Sequence, residues 1–338
     1  MRYANTKLLM LKYLQGNCEG SMKRDSILIV GTGALATLFA AKLSSAGVDV
    51  TMLGSWTDGL DALNKHGARL ASLCPSDISP LRGENLSFHP EWGVRGGEVR
   101  AVRECEKARY AIVLTKSWQT ERVAHKLKKC LTEDGVVLTL QNGLGNGKIL
   151  ADILGAERVA QGITVVGASL QEPGVVRVSG DARVSVETHP RLGPINAFLT
   201  EAGLELESVP DVQSLIWSKL AINAAINPLT ALLDIPNGDL LKNPGAKKLM
   251  AELARETASV AEAQGIPLSF DDPVAAAEGV ARRTSTNISS MLQDLRRGAP
   301  TEIDAICGAI TRAGEAHRIS TPANRTCWKL VKARTEDR

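Results

Sequence analysis

Aromatic side chains are scarce in this 338-residue chain, where Phe, Tyr and Trp together make up 4%. A surface that stacks nucleobases needs such rings interleaved with basic residues, so no nucleic-acid partner is expected. An excess of one charge is also missing. The chain has 40 Lys and Arg residues against 37 Asp and Glu, for a formal net charge of +3. So small a positive balance suits a small anionic ligand better than a polyanion. The six cysteines (Cys18, Cys74, Cys105, Cys130, Cys307 and Cys327) form no CxxC pair, which excludes the usual zinc and dithiol motifs. In a chain of this length they read as reduced, cytoplasmic thiols. No His/Asp cluster has metal-ligand spacing, so no metal is expected. None of the five histidines (His66, His89, His125, His189 and His317) falls in a catalytic pattern, and the G-x-S-x-G elbow of a serine hydrolase is absent. The apolar patch Leu8-Leu9-Met10-Leu11 is too short for a membrane span and precedes no small-residue cleavage site. Residues 1–21 read as an N-terminal extension ahead of a start at Met22.

The chain does contain two differently patterned halves. Ile27-Leu28-Ile29-Val30 is a continuous apolar run ending at Gly31, as expected of a parallel strand buried on both faces. A helical stretch follows from Ala34 to Ala46, with Gly47 as its cap, and Val48 to Leu53 reads as a second strand. Further strands are expected at 110–115, 135–140 and 159–166. The valine alternation from Val175 to Val186 predicts antiparallel or edge strands that complete the sheet, and 71–97 reads as loop or short strand. Beyond Pro210 strand signals cease. Helices are expected over about 211–234, 245–264, 273–283, 286–297, 301–317 and 322–334. The expectation is an α/β fold with a Rossmann-type dinucleotide-binding domain over 22–210 and an all-helical substrate domain over 211–338. The active site is expected in the cleft between them.

Gly31-Thr32-Gly33-Ala34-Leu35-Ala36 is a G-x-G-x-x-A pattern between a strand and a helix. Gly31 permits the tight turn, Gly33 a close approach to a pyrophosphate, and Ala36 close packing of helix on strand. The helix N-terminus offers unpaired N–H groups to the phosphates. An NAD enzyme usually places an acid at the end of the second strand to bind the ribose 2′-hydroxyl. Gly54-Ser55-Trp56 stands there instead, with no carboxylate before Asp58, which favours NADPH. Ser55 can donate to a 2′-phosphate, and a basic residue from elsewhere in the chain can reach it.

Three more segments carry chemistry. Lys116 ends a strand, at the sheet edge where open α/β folds bind ligands, and Asn142 lies in Gln141-Asn142-Gly143-Leu144-Gly145-Asn146 after the next. Lys219, Asn223 and Asn227 recur at i, i+4 and i+8 among Leu220, Ala221, Ile222, Ala224, Ala225 and Ile226. They therefore share one helical face. Polar groups in an apolar helix are costly unless they line a cavity or find partners. The alternative is a buried structural network with its lysine reaching outward. Pro228 implies a kink or an end to that helix. Asn287-Ile288-Ser289-Ser290-Met291-Leu292-Gln293-Asp294 precedes Pro300-Thr301-Glu302-Ile303-Asp304, where acids near a helix start have dipole complementation as their plainer explanation.

Taken together, these motifs resemble the ketopantoate reductase family, in order from about Met22 to Ala333. Ala36 departs from the usual third glycine, and Ser55 stands where many members carry an arginine for the 2′-phosphate. The resemblance implies NADPH-dependent reduction of 2-dehydropantoate (ketopantoate) to pantoate, on the route to pantothenate and coenzyme A. By position, Lys219 becomes the general acid, and Glu302 orients it and holds the substrate hydroxyl. Asn223, Asn227, Asn287 and Ser290 bind substrate. Lys116, Asn142 and Glu302 sit between nicotinamide ribose and substrate, while Gly31, Thr32, Gly33, Ala34, Leu35, Ala36 and Ser55 bind cofactor. Family likeness also implies a homodimer through the helical domain. Two alternatives stay open, a paralogue reducing another small 2-keto acid and a non-catalytic NADP-binding sensor.

Overall fold

The computed structural model describes residues 26–71, 95–179 and 182–336. The expected 1–21 extension, Cys18, Cys74 and most of the 71–97 segment lie outside the described residues. Chain order begins with β1 (Ser26–Val30), α1 (Ala34–Ser45), β2 (Asp49–Leu53), α2 (Thr57–His66), β3 (Ala68–Leu70), β4 (Arg95–Gly97), β5 (Arg100–Val102) and β6 (Ala108–Val113). It continues with α3 (Thr120–Cys130), β7 (Leu131–Thr139), α4 (Asn146–Leu154), β8 (Val159–Thr164), β9 (Gly167–Glu172), β10 (Val175–Ser179), β11 (Arg183–Glu187), α5 (Gly193–Glu201) and β12 (Glu205–Val209).

The large sheet has eight strands in the order β12-β11-β8-β7-β6-β1-β2-β5. From β5 to β8 every pairing is parallel, and β11 joins β8 antiparallel. Side-chain alternation divides β1 between two cores. Ile27 and Ile29 pack with Leu38 and Phe39 of α1, whereas Leu28 and Val30 pack with Val123 and Leu127 of α3 and Leu150 of α4. A strand buried on both faces has no polar side, which explains its unbroken apolar run. Gly47, at φ 82°, supplies the left-handed residue just beyond α1.

The valine-rich stretch behaves differently from expectation. Only β11 joins the large sheet. After a turn at Gly174 (φ 76°), β10 pairs with β9 and β3 in a separate sheet of order β4-β3-β10-β9. Alternation specifies which face of a strand is buried but not which neighbour it pairs with.

The helical half comprises α6 (Val212–Leu233), α7 (Pro244–Ala263), α8 (Pro273–Arg283), α9 (Ser290–Arg296), α10 (Cys307–His317) and α11 (Pro322–Glu336) around one apolar core. Two boundaries differ from expectation. Helix α9 starts at Ser290 because the Ser289 hydroxyl caps it, accepting from the Leu292 amide at 3.2 Å. Residues 301–306 form turns, so α10 begins only at Cys307. Pro228 does not end α6, which runs on to Leu233. The surrounding core buries this part of the helix, and burial outweighs the local cost of a missing N–H.

The thiols also depart from the reduced reading, since Cys105 and Cys130 form a disulfide with Cα atoms 5.8 Å apart. Their separation of 25 residues concealed that the loop before β6 meets the end of α3. Cys307 and Cys327 are free and buried. Among the described residues, no helix is long and apolar enough to cross a membrane. Phe39, completely buried in α1, tests the sheet–helix core. Phe39→Ala should lower stability by about 3–5 kcal/mol, read as a reduced midpoint in chemical denaturation.

Candidate active site

The glycine turn lies between β1 and α1. The Gly31 amide donates to the Leu53 carbonyl at 2.8 Å, with Gly31 at φ 131°. A Cβ there would sit 3.3 Å from both the Leu114 carbonyl and the Ala36 Cβ, so conformation and space both require glycine. Ala36 is fully buried behind the turn. It packs helix against strand without facing the cleft. Gly33, by contrast, faces open space. Helix α1 has no side-chain cap and no acid in its first turn, so its free N–H groups and dipole suit a pyrophosphate.

A cavity of about 1400 Å³ runs from this turn along the carboxyl edge of the sheet to the helical half. Thr32, Gly33, Ala34, Leu35 and Ser55 line one end, and Lys116 and Asn142 the middle. Lys219, Asn223, Asn227, Asn287, Ser290 and Glu302 line the rest. Of the residues singled out from the sequence, Ala36 is the one that does not line the cavity. In the Ser-Ser pair the roles divide. Ser289 is buried and accepts from the Thr230 hydroxyl at 2.7 Å, whereas Ser290 is exposed to the cleft.

Charged groups join the two halves. The Lys219 Nζ donates to the Thr164 carbonyl at the end of β8, at 2.6 Å. Burial pushes its pKa from the ordinary 10.5 down to about 8, although the Glu302 carboxylate acts in the opposite direction. Glu302 is buried in the 301–306 turn. Its Oε1 accepts from the Ser117 amide at 3.0 Å, and its Oε2 lies 3.8 Å from the Lys116 Nζ. Helix-dipole complementation therefore fails as the account of Glu302, since α10 starts five residues later and the carboxylate reaches the other half of the chain.

Sequence reasoning missed Asp294 as a site residue. Only 2% exposed, it accepts from Lys116 Nζ at 2.6 Å through Oδ2 and from Arg297 at 2.6 Å through Oδ1. Its signal was an acid between Met291, Leu292 and Leu295, where an unpaired carboxylate would be costly. The Thr164 carbonyl was also missed, and a main-chain acceptor leaves no mark in side-chain identity.

Comparison with known proteins places the chain in a family. The model of "Ketopantoate reductase PanE/ApbA" matches residues 27–191, and that of its C-terminal part matches 211–335. The chain belongs to the ketopantoate reductase family and is an oxidoreductase of the nicotinamide-dependent class. It is 34% identical to the 2-dehydropantoate 2-reductase of Archaeoglobus fulgidus, over 92% of this chain and 98% of that one. Against the Halobacterium salinarum 2-dehydropantoate 2-reductase it is 31% identical, over 92% and 99%. Among solved structures, a family ketopantoate reductase from Ralstonia eutropha superposes with a TM-score of 0.81 at 28% identity, covering 92% of this chain and 99% of that one. D-mandelate dehydrogenase, in a ternary structure with NADH and anilino(oxo)acetate, gives 0.80 at 25% identity, with the same coverage.

The lowered pKa of Lys219 has a definite sign in stability. Below pH 8 folded and unfolded chains both hold the proton, and the burial cost is fully present. Between about 8 and 10.5 the unfolded chain holds more protons, so stability from this group rises with pH. Lys219→Met should remove that rise, so that stability no longer increases between pH 7 and pH 9.5. Denaturant titrations of both proteins at pH 7 and pH 9.5 check this.

Proposed function

We propose that this protein reduces 2-dehydropantoate to pantoate with NADPH, in the supply of pantothenate and coenzyme A, with Lys219 as the general acid. The observation that carries this reading is the Lys219 ammonium, enclosed in the same cavity as the glycine turn and lowered to a pKa of about 8. An acid poised near working pH transfers a proton efficiently. Bound NADPH supplies the hydride to the C2 carbonyl carbon. Lys219 then has two tasks at the carbonyl oxygen: its charge stabilises the developing alkoxide, and its proton neutralises it. The Thr164 carbonyl fixes the ammonium in place while leaving its other N–H groups to the substrate.

Around this point three cations, Lys116, Lys219 and Arg297, face two carboxylates, Asp294 and Glu302. The single positive charge left over suits a substrate carboxylate. Asn223 and Asn227, one and two turns beyond Lys219, and Asn287 and Ser290 across the cleft provide neutral hydrogen bonds to that carboxylate and to the hydroxyl. Glu302 acts on Lys219 through charge and holds the substrate hydroxyl, and its bond to the Ser117 amide fixes it at the sheet edge. Lys116 and Asn142 lie between cofactor ribose and substrate. A pure binding protein needs no buried proton donor, which argues against a sensor. The reading retains a cytoplasmic setting and a homodimer through the helical region.

A second reading, reduction of a different 2-keto acid, draws support from the likeness to D-mandelate dehydrogenase and from apolar Ile222, Ile226, Val280 and Ile288 in the cavity wall. The deciding measurement is steady-state NADPH oxidation with ketopantoate, pyruvate and 2-ketoisovalerate. A kcat/KM of about 10⁴ M⁻¹s⁻¹ or more with ketopantoate alone is expected. A negligible ketopantoate rate beside a fast one with another acid would overturn the substrate assignment.

Lys219→Ala should lower kcat by about 10²–10⁴-fold with NADPH affinity almost unchanged, and the wild-type rate should decline as pH rises through about 8. Loss of NADPH binding in that variant would remove the assigned role. Ser55→Asp should weaken NADPH about tenfold or more while barely affecting NADH; equal losses in parallel binding titrations would place the 2′-phosphate elsewhere.

A further inference from the structure

No basic residue stands at the end of β2, where Gly54-Ser55-Trp56 follows the strand, yet the parallel pairing of β2 with β5 supplies one from another strand. Leu53 is in register with Val102, and the Gly54 amide donates to the Val102 carbonyl at 3.0 Å. The residues that follow the two strands therefore emerge side by side, Gly54 and Ser55 from one and Arg103 from the other. The Arg103 guanidinium donates to the Ser55 carbonyl at 3.2 Å and to the Thr57 hydroxyl at 2.7 Å. A guanidinium has five N–H donors, so others remain free of these two bonds, and Arg103 stands directly behind Ser55, which lines the cavity.

Helix α3 adds two more cations. Arg122 and Lys126, one turn apart on α3, line the cavity together with Ser55 and Trp56. Lys126 donates to the Arg103 carbonyl at 2.8 Å and lies 3.4 Å from Glu104, an exposed acid. The Cys105–Cys130 disulfide ties the loop holding Arg103 to the end of α3, which fixes the two sources of positive charge relative to each other. Trp56 is 40% exposed on the cavity wall beside them, an aromatic face suited to stacking on adenine.

We infer that Arg103, with Arg122 and Lys126, forms the pocket that binds a phosphate monoester on the adenosine ribose of the cofactor, in place of a basic residue at the end of β2. The inference rests on the NADPH reading above and identifies the residue that produces the preference. Arg103 is a specificity residue distant from the reacting atoms, so its loss should alter cofactor choice and leave proton transfer unaffected.

The test is a fluorescence titration of NADPH and of NADH into wild-type protein and Arg103→Ala. The wild type should bind NADPH more tightly than NADH. In Arg103→Ala the Kd for NADPH should rise about 10- to 100-fold, while that for NADH moves less than about twofold. Unchanged NADH binding also shows that the variant is folded. If the wild type prefers NADPH and the variant keeps that preference, Arg103 is overturned and the cofactor assignment stands. If the wild type binds the two equally, the NADPH reading fails and this inference fails with it. Equal weakening of both cofactors would make Arg103 a support of the β2 end and overturn its role in recognising the phosphate.

Discussion

The cleft is closed by charged and polar groups that cross it, and each must find its partner on the other side. Lys219 of α6 reaches the Thr164 carbonyl at the end of β8, Lys116 beyond β6 reaches Asp294 of α9, and Glu302 reaches the Ser117 amide. Taking an ammonium or carboxylate out of water is costly, and only close partners offset it. Helix α6, helix α9 and the 301–306 turn are therefore held to particular points on the sheet edge. Loss of one partner would leave a buried charge on the other side, so the geometry of the site and the joining of the two halves depend on the same contacts.

Those contacts all fall on one edge of the sheet because of its topology. Parallel strands β1, β6, β7 and β8 end on the same side, where their main-chain groups and following loops converge. Gly31, Lys116, Asn142 and Thr164 all lie at or just beyond these strand ends. The free N–H groups of α1 make one end of the cavity suitable for phosphate, and the asparagines of α6 make the other suitable for a carboxylate and hydroxyl. An extended ligand with a phosphate-rich middle fits such a trough, with Lys219 at the far end from the turn.

Burial alone does not assign roles to the side chains in this cleft. Ser289 and Ser290 both border the cavity, yet Ser289 is buried and caps a helix whereas Ser290 is exposed. Asp294 and Glu302 are both buried carboxylates. Asp294 is paired with two cations, whereas Glu302 holds a main-chain amide and acts on Lys219 through its charge. The lysines differ as well: Lys116 sits against carboxylates, while Lys219 has a neutral carbonyl and a lowered pKa.

Much of this protein was decided locally. The apolar run before Gly31, the glycine turn and the period of Lys219, Asn223 and Asn227 depend on neighbours a few residues apart. The two-part plan and the cavity-facing residues could therefore be read from the chain. Local signals failed where a partner was distant. The pairing of β10 with β3, the Cys105–Cys130 disulfide, the turn that carries Glu302 and the continuation of α6 through Pro228 each depend on contacts formed only after collapse. Arg103 stands 48 residues after Ser55, and its place beside that residue follows from strand pairing. By itself the sequence determined periodicity, turn chemistry and the identity of the reactive groups, because these are short-range properties of the backbone and side chains. Tertiary structure alone decided which charges face one another, because that depends on where the sheet and helices place groups far apart in the chain.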